Sequence, residues 1–520
     1  MAAPQEPEIT ARRLIAFFAL VFGMFMAILD IQIVSSSLSE IQAGLSAAPE
    51  EISWVQTSYL IAEVIMIPLS GFLSRALSTR VLFTISAAGF TFASVLCATA
   101  TSIEQMIVFR AIQGFIGGGM IPTAFAAAYT VFPKRAQGMV MALVGLTVTL
   151  APTVGPTIGG YLTQLFSWHW LFLVNVIPGT IAAVTAWLLV DFDEPDYALL
   201  RRFDFFGLAT MAIFLGSMEY VLEEGQRNDW FADRTIAIFA MASLVAGVAF
   251  FARVLTAETP IVDLRAFRDR NFAVGSALTF VLGIGLYGLT YLYPLYLARV
   301  RGMNALQIGE TVFVTGAFMF VTAPLVGAFV RRTDPRRIIV AGLVGFAISS
   351  LVLTGLTADW AFWELFSPQA LRGVALMCCM IPINLLALGT LSPDRIKNAS
   401  GLFNLTRNLG GAFGLAAINT LLQTRTDLHV ARLGEHVAWG AAVAEERLAG
   451  MTQSLEPVLG ADAGAAALKR LAGLVQQQGM VMAFADIFLI VGVLFATMVL
   501  FVPLLRRPAG GPPGGGGGGH

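Results

Sequence analysis

The residues best placed for chemistry are charges inside apolar runs: Asp30, Glu63, Arg110, Arg372 and Arg407. A charge in a membrane span costs about 2.5–3.5 kcal/mol on insertion scales, so those that persist usually work. Asp30 sits in Met26-Ala-Ile-Leu-Asp30-Ile-Gln32. Its bland alternative is a carboxylate near the outer end of a span, reaching water. Glu63 lies eleven residues after Ile52, near the middle of its run, and is too short to snorkel out. A carboxyl that takes up and releases a proton at such depth is what coupling to a proton gradient requires. Arg110, in Phe109-Arg110-Ala-Ile-Gln113-Gly114, does not deprotonate. It can be the fixed positive charge that competes with a proton for a carboxylate, or an interfacial snorkel. Arg372 and Arg407 stand in comparable places further on, able to pair a carboxylate or to fix backbone carbonyls.

The elements that hold these residues follow from composition. Of 520 residues, 57% are hydrophobic and 12% charged, against about 25% charged in soluble domains; mean hydropathy is +0.76. That excludes a soluble multidomain enzyme, and it excludes a disordered chain. A net charge of −1 leaves no field to recruit nucleic acid. Cys97, Cys378 and Cys379 lie in apolar runs as small hydrophobes, and His169, His429 and His436 lack metal-ligand spacing.

Fourteen runs are long enough to span a bilayer: 14–36, 52–74, 81–101, 105–130, 138–164, 170–190, 204–223, 235–256, 272–297, 307–330, 337–357, 364–390, 399–422 and 481–505. The first follows Arg12-Arg13 and is too long for a signal-peptide core, so it reads as a retained helix. With both termini in the cytoplasm, 20 of the 32 basic residues fall in inner segments and only Arg227, Arg234, Arg299 and Arg301 in short outer loops, which meets the positive-inside rule. An outer segment, 423–479, reads as a helical hairpin with Pro457 and Gly460 separating two stretches. The Pro/Gly tail over 506–520 reads as disordered.

The chain also repeats itself. Pro68-Leu-Ser-Gly71 with Arg75 and Arg80 recurs as Pro324-Leu-Val-Gly327 with Arg331 and Arg336, at an offset of 256. Gly155 and Gly159 pair with Gly410 and Gly414 at an offset of 255. After a cytoplasmic N-terminus, 1–13, this predicts two six-helix bundles, 14–190 and 272–505, with 191–271 inserting two extra spans. Paired bundles around a central site are a transporter architecture. Span five carries Pro152, Gly155, Pro156, Gly159 and Gly160. Small residues four apart let another helix approach closely, and proline favours a bend; the helix is packed tightly or bends and seals as the bundles move. Gly283-Ile-Gly285-Leu-Tyr-Gly288 fits a dinucleotide pattern but lies in a span with no strand before it. No phosphate-binding loop occurs, so no ATP engine resides on the chain.

These features resemble the major facilitator superfamily, and within it the fourteen-span drug:proton antiporters of the EmrB/QacA type, over roughly residues 14–505. Leu29-Asp30 with Ile33-Val34 resembles the first-span motif, Arg110 with Gln113-Gly114 the fourth-span motif, and Gly155-Pro156 with Gly159-Gly160 the antiporter motif. Trp168-His169-Trp170-Leu-Phe172 with Asn175 resembles the Trp-Arg-Trp segment, His169 replacing its Arg. Arg372-Gly373 and Arg407-Asn408 resemble motifs of the second bundle. Gln32, Ser35 and Ser39 replace the family's Thr, Asn and Pro. After span two Ser74-Arg75 stand where the superfamily has an Asp, so the charge latch that this Asp makes does not carry over from that loop.

The resemblance implies an all-α polytopic membrane protein of the major facilitator fold, 6 + 2 + 6 spans, in the inner membrane of a bacterium. It implies no enzyme and no cofactor beyond the proton gradient. The expected activity is export of hydrophobic or amphipathic small molecules against entering protons by alternating access, with Asp30 or Glu63 carrying the proton and Arg110 biasing its release. Expected partners are the lipid bilayer and, through the hairpin, a periplasmic adaptor leading to an outer-membrane channel; no nucleic acid is expected. The alternatives are a stand-alone exporter of one metabolite, an importer or uniporter, a membrane enzyme, and a non-transport sensor.

Overall fold

A computed structural model describes residues 10–48, 51–257, 260–330, 332–437 and 442–506. The tail beyond 506 and most of the N-terminal segment lie outside the described residues. The long helices are labelled in chain order. They are α1 (Ala11–Ser35), α2 (Trp54–Leu77), α3 (Thr79–Ala98), α4 (Ile103–Thr130, with a turn at Gly118 and Gly119), α5 (Lys134–Leu165), α6 (Val176–Leu189) and α7 (Phe205–Glu224). Then follow α8 (Arg234–Thr256), α9 (Arg270–Arg299), α10 (Ala305–Phe329), α11 (Pro335–Val352), α12 (Phe362–Leu388), α13 (Pro393–Glu435) and α14 (Ala463–Met498).

Local chemistry explains where many begin. Thr10, Ser102, Asp204, Asp233 and Asp269 accept backbone N–H bonds at the starts of α1, α4, α7, α8 and α9, satisfying donors that the first helical turn leaves open. Asn304 and Gln307 form a reciprocal capping box on α10. Large apolar side chains remain exposed along α8, including Leu244, Val248 and Leu255, as expected of a face turned to lipid.

Thirteen segments among the described residues are long and apolar enough to cross a membrane. The expected run at 399–422 lies in α13, which is continuous helix but carries Asn398, Asn404, Arg407 and Asn408. Past residue 422 α13 continues unbroken to Glu435. The outer segment therefore has three helical stretches: the end of α13, Ala442–Leu459, and the start of α14. Pro457 lies inside the second; the turn is made by Gly460, whose φ is +55°, a conformation glycine adopts without strain.

Helices α1 to α6 pack among themselves, as do α9 to α14, in matching pairs: α1 with α5 as α9 with α13, α2 with α4 as α10 with α12. Helix α7 packs on α2 and α8 lies outside it. The two bundles meet along α5 against α10 and α2 against α13. The repeated glycines sit on these contacts. A Cβ on Gly71 of α2 would lie 2.8 Å from the Asn398 Cα of α13. One on Gly327 of α10 would lie 2.9 Å from the Ala142 Cβ of α5. Asn398 and Ala142 stand at the same offset of 256, so each seam is a copy of the other. The second repeat serves contacts inside the bundles: Gly155 and Gly159 face α1, and Gly410 and Gly414 face α9. Gly283, Gly285 and Gly288 abut Arg407, Phe495 and Ile418, so the dinucleotide-like pattern is helix packing.

Gly71→Val is expected to hold this end of the bundles apart and abolish transport while the purified protein stays monodisperse, since no bundle core is disturbed. Gly285→Val, pressed on the stacked rings of Phe495 and Phe346, is expected to cost roughly 1–3 kcal/mol of stability instead. Size-exclusion profiles after graded heating separate the two outcomes.

Candidate functional site

Asp30 and Arg110 are both fully buried and paired, Nη1 to Oδ2 at 2.7 Å. Helix α1 carries Asp30 and α4 carries Arg110, eighty residues apart. Every hydrogen bond to the carboxylate comes from a donor: Asn175 Nδ2 donates to Oδ1 at 2.6 Å and Gln113 Nε2 at 3.3 Å. Arg110 also donates from Nε to the Val55 carbonyl at 3.1 Å and from Nη1 to Gln113 Oε1 at 2.7 Å. Its guanidinium lies over the ring of Tyr59, 4.2 Å from the centroid, with Phe172 at 5.8 Å. Ser94 closes the network by accepting from Gln113 at 2.7 Å. Among the described residues Arg110 Nη2 is the one nitrogen of the guanidinium without a partner; pairing and hydrogen bonding of this kind are what let two charges stay in a low-dielectric interior. The segment resembling Trp-Arg-Trp thus supports the pair, since Phe172 covers Arg110 and Asn175 holds Asp30. His169 stacks on Trp168 and bonds Ser167, away from the pair.

Glu63 stands apart from this cluster. It is 3% exposed, it lines a cavity of about 830 Å³ between the bundles, and its Oε1 has no hydrogen-bond partner. Arg110, Asp30 and, from the other bundle, Arg407 all lie close enough to act on its charge. The cavity opens at the end opposite the chain termini, among Ser35, Ser53, Arg227, Arg299 and Gln423. Its walls mix apolar groups (Ile28, Leu60, Leu415) with Gln32, Tyr287 and Asn408, and the volume suits a drug-sized molecule.

Among the residues singled out in the second bundle, Asn408 lines the cavity and accepts from the Tyr287 hydroxyl at 3.3 Å. Arg407 is buried and bonds Asn404, with its guanidinium 5.3 Å from the ring centroid of Phe125 in the first bundle. Arg372 is buried, donates to Thr290 Oγ1 at 3.4 Å and lies over Tyr293. Among the described residues neither arginine pairs a carboxylate, and each has two nitrogens without a partner.

Helix α5 runs unbroken through Pro152 and Pro156, and Pro156 reaches the cavity wall. A Cβ on Gly155 would strike Gln32, and one on Gly159 would lie 2.7 Å from Ser36 Oγ. The opposite face of α5 receives α10, whose Gly309 and Gly316 abut Thr157 and Thr153. Gly160 accepts from Thr163 Oγ1 at 3.1 Å. The motif therefore places α5 tightly between α1 and the other bundle.

The end that bears the termini is shut. The Tyr129 hydroxyl donates to the Asn384 carbonyl at 2.6 Å, and Ser400 Oγ to the Pro122 carbonyl at 3.2 Å. A charged latch lies beside them. Lys397 of α13 bonds Asp193, in the loop after α6, and the Ser74 carbonyl at 3.2 Å. Asp193 also accepts from the Thr79 backbone N–H at 3.0 Å, sitting where the α3 dipole favours an anion. The loop after span two lacks its Asp, and a carboxylate from a distant loop fills the place. No pattern in the sequence marks this pair, because Asp193 and Lys397 are 204 residues apart.

Sequence reasoning also missed Glu219, Glu223 and Glu224 on α7, all on the cavity wall. Two of them fall inside the seventh apolar run, which was the signal. Among the described residues no cluster of His, Cys, Asp and Glu could hold a metal ion.

Residues 20–415 match the Major Facilitator Superfamily. Over 444 residues the chain is 45% identical to the colistin resistance protein EmrB of Acinetobacter baumannii, covering 85% of this chain and 86% of that one. It is 32% identical over 488 residues to the fatty acid resistance protein FarB of Neisseria gonorrhoeae, covering 94% of each. It is 31% identical over 438 residues to the multidrug export protein EmrB of Escherichia coli, covering 83% of this chain and 85% of that one. Among solved structures the fold matches the human organic anion transporter MFSD10 (TM-score 0.58, 14% identity, 93% and 99% covered). It also matches the proton:xylose symporter XylE (TM-score 0.57, 12% identity, 94% and 96% covered). With its paired bundles, central cavity and buried charge cluster, the chain belongs to the Major Facilitator Superfamily, among the EmrB-type multidrug efflux transporters.

Proposed function

We propose that the chain is a proton-coupled exporter of hydrophobic or amphipathic compounds, not an enzyme, using no cofactor but the proton gradient. Both termini lie in the cytoplasm, fourteen spans cross the bacterial inner membrane, and the cavity faces outward in this state. The observation that carries the reading is Glu63: a carboxyl with an unpartnered oxygen on the wall of the cavity between the bundles. Measured from Trp54 at 1.5 Å per residue, it lies roughly 14 Å below the mouth, within reach of water entering there.

Glu63 takes a proton from the outer side; the charges of Arg110 and Arg407 favour its loss once the cavity reopens inward. Each proton supplies about 2.3 kcal/mol per 100 mV and about 1.4 kcal/mol per pH unit, enough to drive a substrate out against its gradient. Asp30, enclosed by donors and away from the cavity wall, pairs with Arg110 and holds it in place. The helical stretches at the outer end give a periplasmic adaptor and outer-membrane channel a face to meet, as the inner-membrane part of a tripartite pump.

Glu63→Gln mimics the protonated carboxyl and is expected to reduce flux driven by an imposed pH gradient in proteoliposomes at least 100-fold. Undiminished gradient-driven flux in that variant would remove Glu63 from the coupling.

A further inference from the structure

The two inserted helices could do no more than fill the membrane. Helix α7, however, is not surrounded by lipid. Its outer end is tied to both bundles: Thr57 of α2 donates to Glu224 Oε1 at 3.0 Å, the Trp230 indole just beyond α7 donates to Thr420 of α13 at 3.1 Å, and Gln226 bonds Gln423. Leu222 packs on Ala412 and Ala416 of α13. Helix α7 therefore covers the cleft between α2 and α13 and forms a wall of the cavity.

That wall is acidic. Glu219, Glu223 and Glu224 line the cavity with Glu63 facing them and Asp427 near the mouth, against Arg227 and Arg299. Both arginines lie past or at the outer ends of their helices. Glu219 lies about 8 Å below Glu224 along α7. Glu63 and Glu219 are 3% and 5% exposed, and among the described residues neither they nor Glu223 bond or pair with any side chain. Glu63 is close enough to Glu219 for their charges to repel. Buried carboxylates without partners are costly unless a cation or proton joins them. Tyr287 and Tyr291 line the same cavity, and aromatic faces attract organic cations.

We propose that the inserted helix α7 makes this cavity selective for organic cations: Glu219 and Glu223, with Glu63 opposite, hold the charged centre of a lipophilic ammonium or phosphonium, and the tyrosines and apolar walls hold its substituents. This deepens the exporter reading and rests on it only for calling the ligand a transported substrate.

Tetraphenylphosphonium and tetraphenylborate have nearly the same shape and opposite charge. Binding of each, separately, to the full chain in nanodiscs of zwitterionic lipid is measured by equilibrium dialysis, with empty discs subtracted. The cation is expected to bind at least tenfold more tightly than the anion. Glu219→Gln/Glu223→Gln is expected to weaken cation binding at least tenfold and leave anion binding unchanged, whereas Glu456→Gln on the outer hairpin changes neither. Glu223→Gln alone, at a half-buried position, gives a smaller loss and serves if the double variant is poorly folded. Equal binding of the two ions, or unaltered cation binding in both carboxamide variants, overturns the proposal. Flux is read separately: cation-selective binding without gradient-driven flux would sink the exporter reading and leave this one standing.

Discussion

Asp30→Asn is expected to lower stability by about 3–5 kcal/mol as well as abolish exchange, because it leaves the Arg110 guanidinium buried without its counter-charge. For a carboxylate near the outer end of its span, reaching water, that substitution would cost little. The geometry reverses that. Asp30 and Arg110 are fully buried, and the donors around Asp30 are fixed by α4 and by Asn175. Arg110→Gln is expected to cost a similar amount, leaving the carboxylate with only amide donors. Removing both charges in Asp30→Asn/Arg110→Gln is expected to cost about 2–3 kcal/mol less than the sum of the two single losses, the coupling of residues in one network. Retained monomer after heating, read by fluorescence-detected size exclusion, checks the ordering. Losses that simply add would mean the pair is not the unit described. Such an offset in stability without recovery of flux would separate the structural share of the pair from its part in coupling.

Much of this was legible from local signals. Runs of about twenty apolar residues mark membrane helices because backbone groups must be satisfied within the helix. The recurrence of Gly71 as Gly327 marks a seam, and the structure supplies its physical reason: both glycines admit the neighbouring bundle at equivalent positions. Asp30, Glu63 and Arg110 could be singled out by the cost of their charges. What could not be read was pairing. Nothing local says that Arg110 meets Asp30 rather than Glu63, or that Asn175 turns toward Asp30, since those contacts depend on how helices far apart in sequence lie side by side. The α7 carboxylates were overlooked for the opposite reason. They lie at the end of an apolar run, where acidic residues read as the start of a loop, and only the packing of α7 between α2 and α13 turns them into a cavity. The end of α13 shows a similar limit: a change from apolar to polar composition marks the edge of the bilayer, but the helix continues to Glu435, with no proline over 423–435 to stop it.

The loop after span two gives the sharpest case, since the missing Asp there implied a missing latch. Lys397 and Asp193 supply one instead, with the Ser74 carbonyl as a third member. Both side chains are largely shielded, 14% and 17% exposed, so their attraction is screened less than that of a surface pair. Because Lys397 belongs to α13 and Asp193 is tied to the first bundle through the Thr79 N–H, the contact exists only while this end is shut. It contributes to one of two global states, and its loss shifts the balance between them by its own worth. For a coupling of about 1–3 kcal/mol the expected change in population is roughly 5–150-fold. Asp193→Asn keeps an acceptor for the Thr79 N–H and loses the ion pair; Lys397→Met loses it from the other side. In a background with Cys97, Cys378 and Cys379 replaced by Ala, Asn384→Cys reports the opening, because that side chain is 1% exposed behind Tyr129 while the carbonyl that Tyr129 holds is unaffected. Alkylation of this cysteine by a polar maleimide is expected to quicken about tenfold in either variant, and no further when the two are combined, since both remove the same contact. Unchanged alkylation would show that the seal rests on Tyr129, Ser400 and the close packing at Gly71 alone, and that the carboxylate of Asp193 serves only to cap α3.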